Sequence, residues 1–126
     1  MEYLVSIGSN EGRRQNMLLA RRRLSELFAD IRFSCEEETA PLYLHRPCRF
    51  SNQVACFHSD LCADEVRACL KAIEREAGRV PEDKPREIVR LDIDLLSCDG
   101  RVLKPADMER GYVRQGLKEL MNRSEE

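Results

Sequence analysis

The stretch Arg90-Leu91-Asp92-Ile93-Asp94-Leu95-Leu96 is the part of the sequence that most strongly determines the fold. Apolar residues alternate with two aspartates, and this period of two predicts a half-buried β-strand, which we place at residues 88–96. The apolar side chains then face the core, while Asp92 and Asp94 project together from the opposite face. Because a strand rises about 3.3 Å per residue, the two carboxylates lie about 7 Å apart.

Two helices and three further strands are predicted around this strand. Apolar residues recur at helical spacing in two segments, and strand-forming residues cluster in three others. We predict strands at residues 3–7, 31–35 and 50–58, helices at 14–28 and 64–77, loops at 38–49 and 79–87, a hairpin turn at 99–100 and a last helix after Pro105. The order β-α-β-β-α-β with a C-terminal helix predicts an α+β domain with ferredoxin-like topology, in which two helices pack on one face of an antiparallel sheet.

The length and composition predict one domain with no membrane or nucleic-acid partner. A chain of 126 residues fills one core, so we expect a single domain at residues 1–121 and a frayed tail at 122–126. The net charge of −2 gives no electrostatic basis for binding nucleic acid, and no apolar run approaches the roughly 20 residues needed to span a bilayer. Because no export signal precedes the first strand, we expect a cytoplasmic protein, and we expect it to be a monomer.

The six cysteines show neither a metal-binding nor a disulfide pattern. No pair has C-x-x-C spacing and the sequence has only two histidines, so we predict no zinc site. Cys56 and Cys69 fall on apolar faces, and we interpret them as reduced core residues.

Two groups of residues are candidates for chemistry. Asp92 and Asp94 would repel each other on one sheet face, so the pair calls for a metal ion or basic neighbours; the alternative is a solvated face with two ordinary acids. Phe50 and Asn52 share one face of the third strand, where a flat ring beside an amide can stack a heteroaromatic ring and read its edge. The alternative for Phe50 is an ordinary core aromatic.

Several fragments, in this order, resemble the 6-hydroxymethyl-7,8-dihydropterin pyrophosphokinase family. They are Ile7-Gly8-Ser9-Asn10, Thr39-Ala40-Pro41-Leu42, Phe50-Ser51-Asn52, Ile73-Glu74, Gly78-Arg79, Leu91-Asp92-Ile93-Asp94-Leu95-Leu96 and Arg110-Gly111-Tyr112. The resemblance runs from Tyr3 to about Leu120, nearly the whole chain. It implies an enzyme of folate biosynthesis that transfers pyrophosphate from ATP to a pterin alcohol, so pterin and ATP are the expected small-molecule partners.

The resemblance also implies a role for individual residues. Asp92 and Asp94 correspond to the aspartates that hold two Mg²⁺ ions between the nucleotide phosphates and the pterin hydroxymethyl group. The positions that correspond to pterin-binding residues are Thr39, Leu42, Phe50, Asn52 and Tyr112. The positions that correspond to nucleotide-binding residues are Glu74, Arg79, Leu95 and Arg110, and of these Arg79 and Arg110 are expected to steady phosphates during catalysis.

The sequence departs from the family in the loop before the aspartates. The family's loop carries arginines and a tryptophan that close over ATP, whereas this chain has Arg86 and Arg90 out of register and fills most of the loop with Pro81, Glu82, Pro85 and Val89. The segment before the Arg110 motif is also shorter and lacks the family's Pro-His pair. Two alternatives to an active enzyme therefore remain open: a pterin-binding or regulatory module with weakened catalysis, and a domain with only structural or interaction duties.

Overall fold

An antiparallel sheet with helices on both faces forms the part of the chain that the structure describes. A computed structural model describes residues 1–40 and 48–124, apart from the side chains of residues 123 and 124. The strands are β1 (Glu2–Ser9), β2 (Arg32–Phe33), β3 (Glu37–Thr39), β4 (Phe50–His58), β5 (Asp92–Cys98) and β6 (Arg101–Val102). The α-helices are α1 (Arg13–Leu27), α2 (Ala63–Glu76), α3 (Pro105–Met108) and α4 (Gly111–Ser124), and a 3₁₀ turn spans Pro81–Asp83.

The sheet has the strand order β2-β4-β1-β5-β6, and β3 pairs with β4 outside this path. The central strand β1 pairs with β4 from Glu2 to Ser9 and with β5 from Tyr3 to Gly8, always antiparallel. Because β1 lies between β4 and β5 in the middle of the sheet, nearly all of it is buried. The four longer segments predicted as strands keep the ferredoxin-like order, and the predicted fold class is confirmed.

Alternate residues of the central strands feed two separate cores. One core joins the odd-numbered residues of β1 to the apolar faces of α1 and α2; among its fully buried members are Tyr3, Val5, Ile7, Met17, Leu24, Val66 and Leu91. The other core lies beneath α4 and contains Leu4, Val54, Leu96, Val113 and Leu120. The C-terminal helix therefore covers the sheet face opposite α1 and α2.

Helix α4 approaches the sheet closely at Gly116. A Cβ atom built there would overlap Cγ2 of Val54 and would lie 3.1 Å from Oγ of Ser34. This close approach fixes the distance of the helix, and hence of Tyr112 in its first turn, from the sheet.

Several predicted boundaries were wrong. Strand β5 begins at Asp92 and not at residue 88, because Val89 N donates to the side chain of Asn10 at 2.7 Å instead of joining a strand ladder. The strand predicted at 31–35 contracts to β2, and β3 lies partly inside the predicted loop 38–49, held by pairing with β4. The single helix predicted after Pro105 is divided into α3 and α4.

The last helix extends into the segment predicted as a frayed tail. It runs to Ser124, so residues 122–124 are helical. The physical reason is that Leu117 and Leu120 pack against the second core and hold the final turns on the sheet.

Candidate functional site

Asp92 and Asp94 lie on the sheet face that α4 leaves open at one end. Asp92 is paired across the strands with Gly8 and Asp94 with Ser6. Their side chains are 38% and 27% exposed, whereas Leu91 and Ile93, which alternate with them, are buried in the core beneath α1 and α2. The prediction that the two carboxylates project together from β5 is confirmed.

Two cations and one buried carboxylate surround this aspartate pair. Arg79 Nη1 lies 3.0 Å from Asp92 Oδ1 and 2.9 Å from Glu74 Oε2, and Lys104 Nζ lies 3.1 Å from Asp94 Oδ1. Glu74 is only 7% exposed and accepts the backbone N–H of Ile93 at 2.7 Å. Glu74 therefore ties the C-terminal turn of α2 to β5 between the two aspartates.

The surroundings of Asp92 disfavour its ionised form. Partial burial, reinforced by the negative charge of Asp94 and a hydrogen bond with it, raises the pKa of Asp92 to about 7, although Arg79 opposes the shift. The described residues include no cluster of three or more His, Cys, Asp or Glu side chains suited to a metal. A pair of carboxylates does suit Mg²⁺, which is commonly held by one or two carboxylates together with substrate phosphates.

The aspartates open onto two connected cavities at the edge of β5. A cavity of 190 Å³ is lined by Arg67, Leu70, Lys71, Glu74, Arg79, Asp92, Ile93, Asp94, Leu95 and Lys104. A larger one of 720 Å³ continues along the segment 79–89 and shares Lys71, Glu74, Arg79 and Asp92 with the first. The predicted nucleotide-side residues Glu74, Arg79 and Leu95 are thus brought together with the aspartates.

On the other side of β1, Asn52 lies directly opposite Gly8 and is 5% exposed. Its Nδ2 donates to Oγ1 of Thr39, a contact made possible by the pairing of β3 with β4. A Cβ atom on Gly8 would lie 3.3 Å from Asn52 Oδ1 and 4.0 Å from Cδ1 of Phe50. Because Gly8 has no side chain, the surface between Asp92 and Asn52 stays open.

Tyr112 adds an aromatic ring from α4. It lines a 290 Å³ cavity together with Asn52, and its hydroxyl lies near the side chains of Ser6 and Arg110. Burial raises the pKa of the Tyr112 hydroxyl. Since Ser6 is paired with Asp94, the Tyr112 side of the site is continuous with the aspartate side.

Among the described residues, Arg110 does not join the aspartates. Arg110 forms an ion pair with Asp107 at 3.1 Å and contacts Tyr112, so its guanidinium is held on the Tyr112 side. Leu42 lies outside the described residues.

Sequence reasoning missed Lys104 and Ser6. The register of β1 against β5 could have identified Ser6, because alternation places it on the face of the aspartates. Lys104 gives no such signal. Its position depends on the chain returning after β6, where the N–H groups of Leu103 and Lys104 donate to the Leu96 carbonyl at 2.8 and 3.4 Å.

Together, the fold and the site define an α+β domain with a carboxylate pair suited to a divalent cation beside an amide–aromatic cavity. Residues 4–122 match the family model described as 7,8-dihydro-6-hydroxymethylpterin-pyrophosphokinase, and the chain belongs to this family. The resemblance drawn from the sequence fragments is confirmed.

Two relatives are similar over most of this chain. One is the folate synthesis bifunctional protein, mitochondrial, of Arabidopsis thaliana, which is 36% identical over 95% of this chain; the match spans 23% of that protein. The other is the 2-amino-4-hydroxy-6-hydroxymethyldihydropteridine pyrophosphokinase of Porphyromonas gingivalis, which is 30% identical over 92% of this chain and 88% of its own length. In the described part of the chain, no helix has the length and apolar character needed to cross a membrane.

Proposed function

We propose that this protein transfers pyrophosphate from ATP to the hydroxymethyl group of 6-hydroxymethyl-7,8-dihydropterin, the reaction for which its family is named. In this reaction the hydroxymethyl oxygen attacks the β-phosphorus, the bond from that phosphorus to the α-phosphate oxygen breaks, and AMP leaves as the hydroxyl proton is lost. The observation that carries the proposal is that two chemically different halves of the site meet over Gly8. Carboxylates and cations lie on the β5 side, and on the β4 side lie the amide of Asn52, the ring of Tyr112 and, close to Gly8, the ring of Phe50.

The pterin is assigned to the β4 side. Because Nδ2 of Asn52 donates to Thr39, its Oδ1 is left to accept from a ring N–H of the pterin. Phe50 and Tyr112 supply the flat surfaces against which the ring stacks. We also propose Leu42 as a pterin contact, on the family resemblance alone.

The nucleotide and its metal ions are assigned to the β5 side. Asp92 and Asp94 would hold Mg²⁺, and the resemblance supports two ions. When bound there, Mg²⁺ supplies positive charge that neutralises the phosphates. Glu74 keeps β5 and Arg79 in place through its bonds to Ile93 N and the guanidinium. Arg79 would steady phosphates in the cavity that receives the nucleotide, which Leu95 also lines. The same role is proposed for Arg110 on the family resemblance alone, since its guanidinium is paired with Asp107.

The protein is also proposed to act as a monomer in the cytoplasm, which its size and composition favour. Its mass in solution, measured by light scattering, tests the monomeric state.

One observation favours the second candidate, a pterin-binding module with weakened catalysis. Arg90 Nε donates to the buried carboxylate of Asp83 at 3.0 Å. Hydrogen bonds from Arg90 and Val80 lower the pKa of Asp83 even though burial opposes ionisation. Arg90 therefore stabilises its own loop. We expect a lower affinity for ATP than if this arginine could turn toward the nucleotide.

Calorimetric titration separates the two candidates. The purified protein is titrated with 6-hydroxymethylpterin alone, and then with Mg²⁺ and a non-hydrolysable ATP analogue present. Pterin binding strengthened by the nucleotide supports the enzyme, because the two halves of the site then act together. Pterin binding that is indifferent to the nucleotide supports the binding module, and binding of neither ligand contradicts both.

A further inference from the structure

The ammonium group of Lys104 is placed at Asp94 by the backbone. The N–H groups of Leu103 and Lys104 both donate to the carbonyl of Leu96, which lies on the same strand as Asp94. Pro105 follows at the first position of α3 and fixes the direction in which the chain leaves. The anchor point of the Lys104 side chain is thus set by the β5–β6 return, and its Nζ lies 3.1 Å from Asp94 Oδ1.

The two cations at the aspartate pair differ in how firmly they are held. Arg79 is shared between Asp92 and the buried Glu74, and its planar guanidinium contacts both. Within the described residues, Asp94 is the single ion-pair partner of Lys104, whose side chain is 47% exposed. Because a lysine carries a compact charge on a flexible stem, Lys104 can leave its carboxylate without breaking any other ion pair.

A lysine ammonium and a divalent cation compete for the same oxygen of Asp94. We propose that Lys104 is an exchangeable counter-ion that pairs with Asp94 while the site holds no nucleotide. In this state it lowers the affinity of Asp92 and Asp94 for free divalent cations. When a metal ion enters with the nucleotide, Lys104 leaves Asp94 and contacts the phosphates. Lys104 and both aspartates line the same cavity of 190 Å³, so the ammonium group can reach a phosphate bound there after it leaves Asp94. The phosphate contact rests on the proposed function, whereas the occupation of Asp94 does not.

This exchange predicts opposite effects of one substitution on two binding constants. Mn²⁺, detected by electron paramagnetic resonance, is titrated into nucleotide-free protein and then into protein with a non-hydrolysable ATP analogue. In Lys104→Gln the affinity for Mn²⁺ alone should rise about three- to tenfold, because the competing charge is gone. The affinity for the Mn²⁺–nucleotide complex should fall about fivefold, because a phosphate partner is lost. A purely structural role would lower both affinities together.

Two further variants complete the test. Lys104→Arg keeps the charge and should retain low affinity for Mn²⁺ alone. The matched control Lys118→Gln removes an exposed lysine of α4 that has no ion pair among the described residues, and it should change neither constant. Thermal unfolding of each variant confirms that the fold is kept.

The two arms distinguish this inference from the proposed function. If Lys104→Gln binds Mn²⁺ alone no more tightly than wild type, the inference is overturned, whatever the enzyme does with ATP. If the affinity for Mn²⁺ alone rises but wild type binds no nucleotide, the counter-ion role at Asp94 stands, while the proposed function and the phosphate contact are both rejected.

Discussion

Asp94→Asn is the substitution that best separates what the aspartate pair does for the fold from what it does for catalysis. The side-chain hydrogen bond between Asp92 and Asp94 brings the carboxylates closer than the roughly 7 Å expected from strand spacing. With both ionised at about 4–7 Å, and with an effective dielectric constant of about 20, their repulsion is about 2–4 kcal/mol. Removing the charge of Asp94 also removes its ion pair with Lys104. At 47% and 27% exposure this pair contributes about 0–1 kcal/mol. Repulsion is the larger effect, so the metal-free variant should be at least about 1 kcal/mol more stable than wild type near pH 8.

The pH dependence gives the same prediction a second readout. The folded-state pKa of Asp92, about 7, lies above its ordinary value of 3.8. Folding therefore favours the protonated form, and the stability of the metal-free protein falls as the pH rises between these values. Near pH 5.5 Asp92 is already protonated and the repulsion is absent. The variant should then gain nothing and lose up to about 1 kcal/mol.

Catalysis should respond in the opposite direction. Replacing one of two carboxylates that hold the metal removes several kcal/mol of transition-state stabilisation, so turnover should fall about a thousandfold or more. Urea unfolding in the presence of a chelator, near both pH values, measures stability, and AMP release from Mg·ATP measures turnover. Activity within tenfold of wild type would refute the metal assignment. A variant less stable than wild type near pH 8 would refute the repulsion argument.

Three further substitutions test the surroundings of the site. Gly116→Ala places a Cβ atom against Val54, so the free energy of unfolding in urea should fall by about 1–2 kcal/mol after the gain in helix propensity is counted. The control Gly111→Ala has open space around it and should be neutral or stabilising. Equal effects of the two substitutions would contradict the packing argument. Asn10→Ala removes the two hydrogen bonds that the Asn10 side chain makes to Glu87 and Val89 and keeps the backbone bond to Val89; it should lower stability by about 1–2 kcal/mol and speed amide exchange in the segment 87–89. Unchanged exchange would show that the loop is held by other contacts. Asn52→Ala should weaken pterin binding about tenfold in calorimetry while leaving binding of the ATP analogue unchanged, and equal loss of both would place Asn52 in a structural role.

The order of strands and helices could be predicted from sequence because periodicity records which face is buried. In Leu91, Ile93 and Leu95 the alternation is complete, and the face carrying Asp92 and Asp94 follows from it. The start of β5 could not be predicted in this way. Residues 88 and 89 are strand-forming types, but Val89 is engaged by Asn10, a contact between residues far apart in sequence.

The missed parts of the site depend on tertiary contacts of the same kind. Strand β3 has the sequence Glu-Glu-Thr, which has no alternation, and it exists because β4 pairs with it and brings Thr39 to Asn52. Lys104 reaches Asp94 only through the return of the chain after β6. The charge of Arg110 was evident from the sequence, but its engagement by Asp107 was not.

The most direct test of the central claim is phosphorus NMR of the purified protein incubated with ATP, Mg²⁺ and 6-hydroxymethyl-7,8-dihydropterin. The account predicts AMP and a pterin diphosphate in equal amounts, with no AMP when the pterin is left out. ATP that stays intact with the pterin present, or ADP formed in place of AMP, would contradict pyrophosphate transfer at this site.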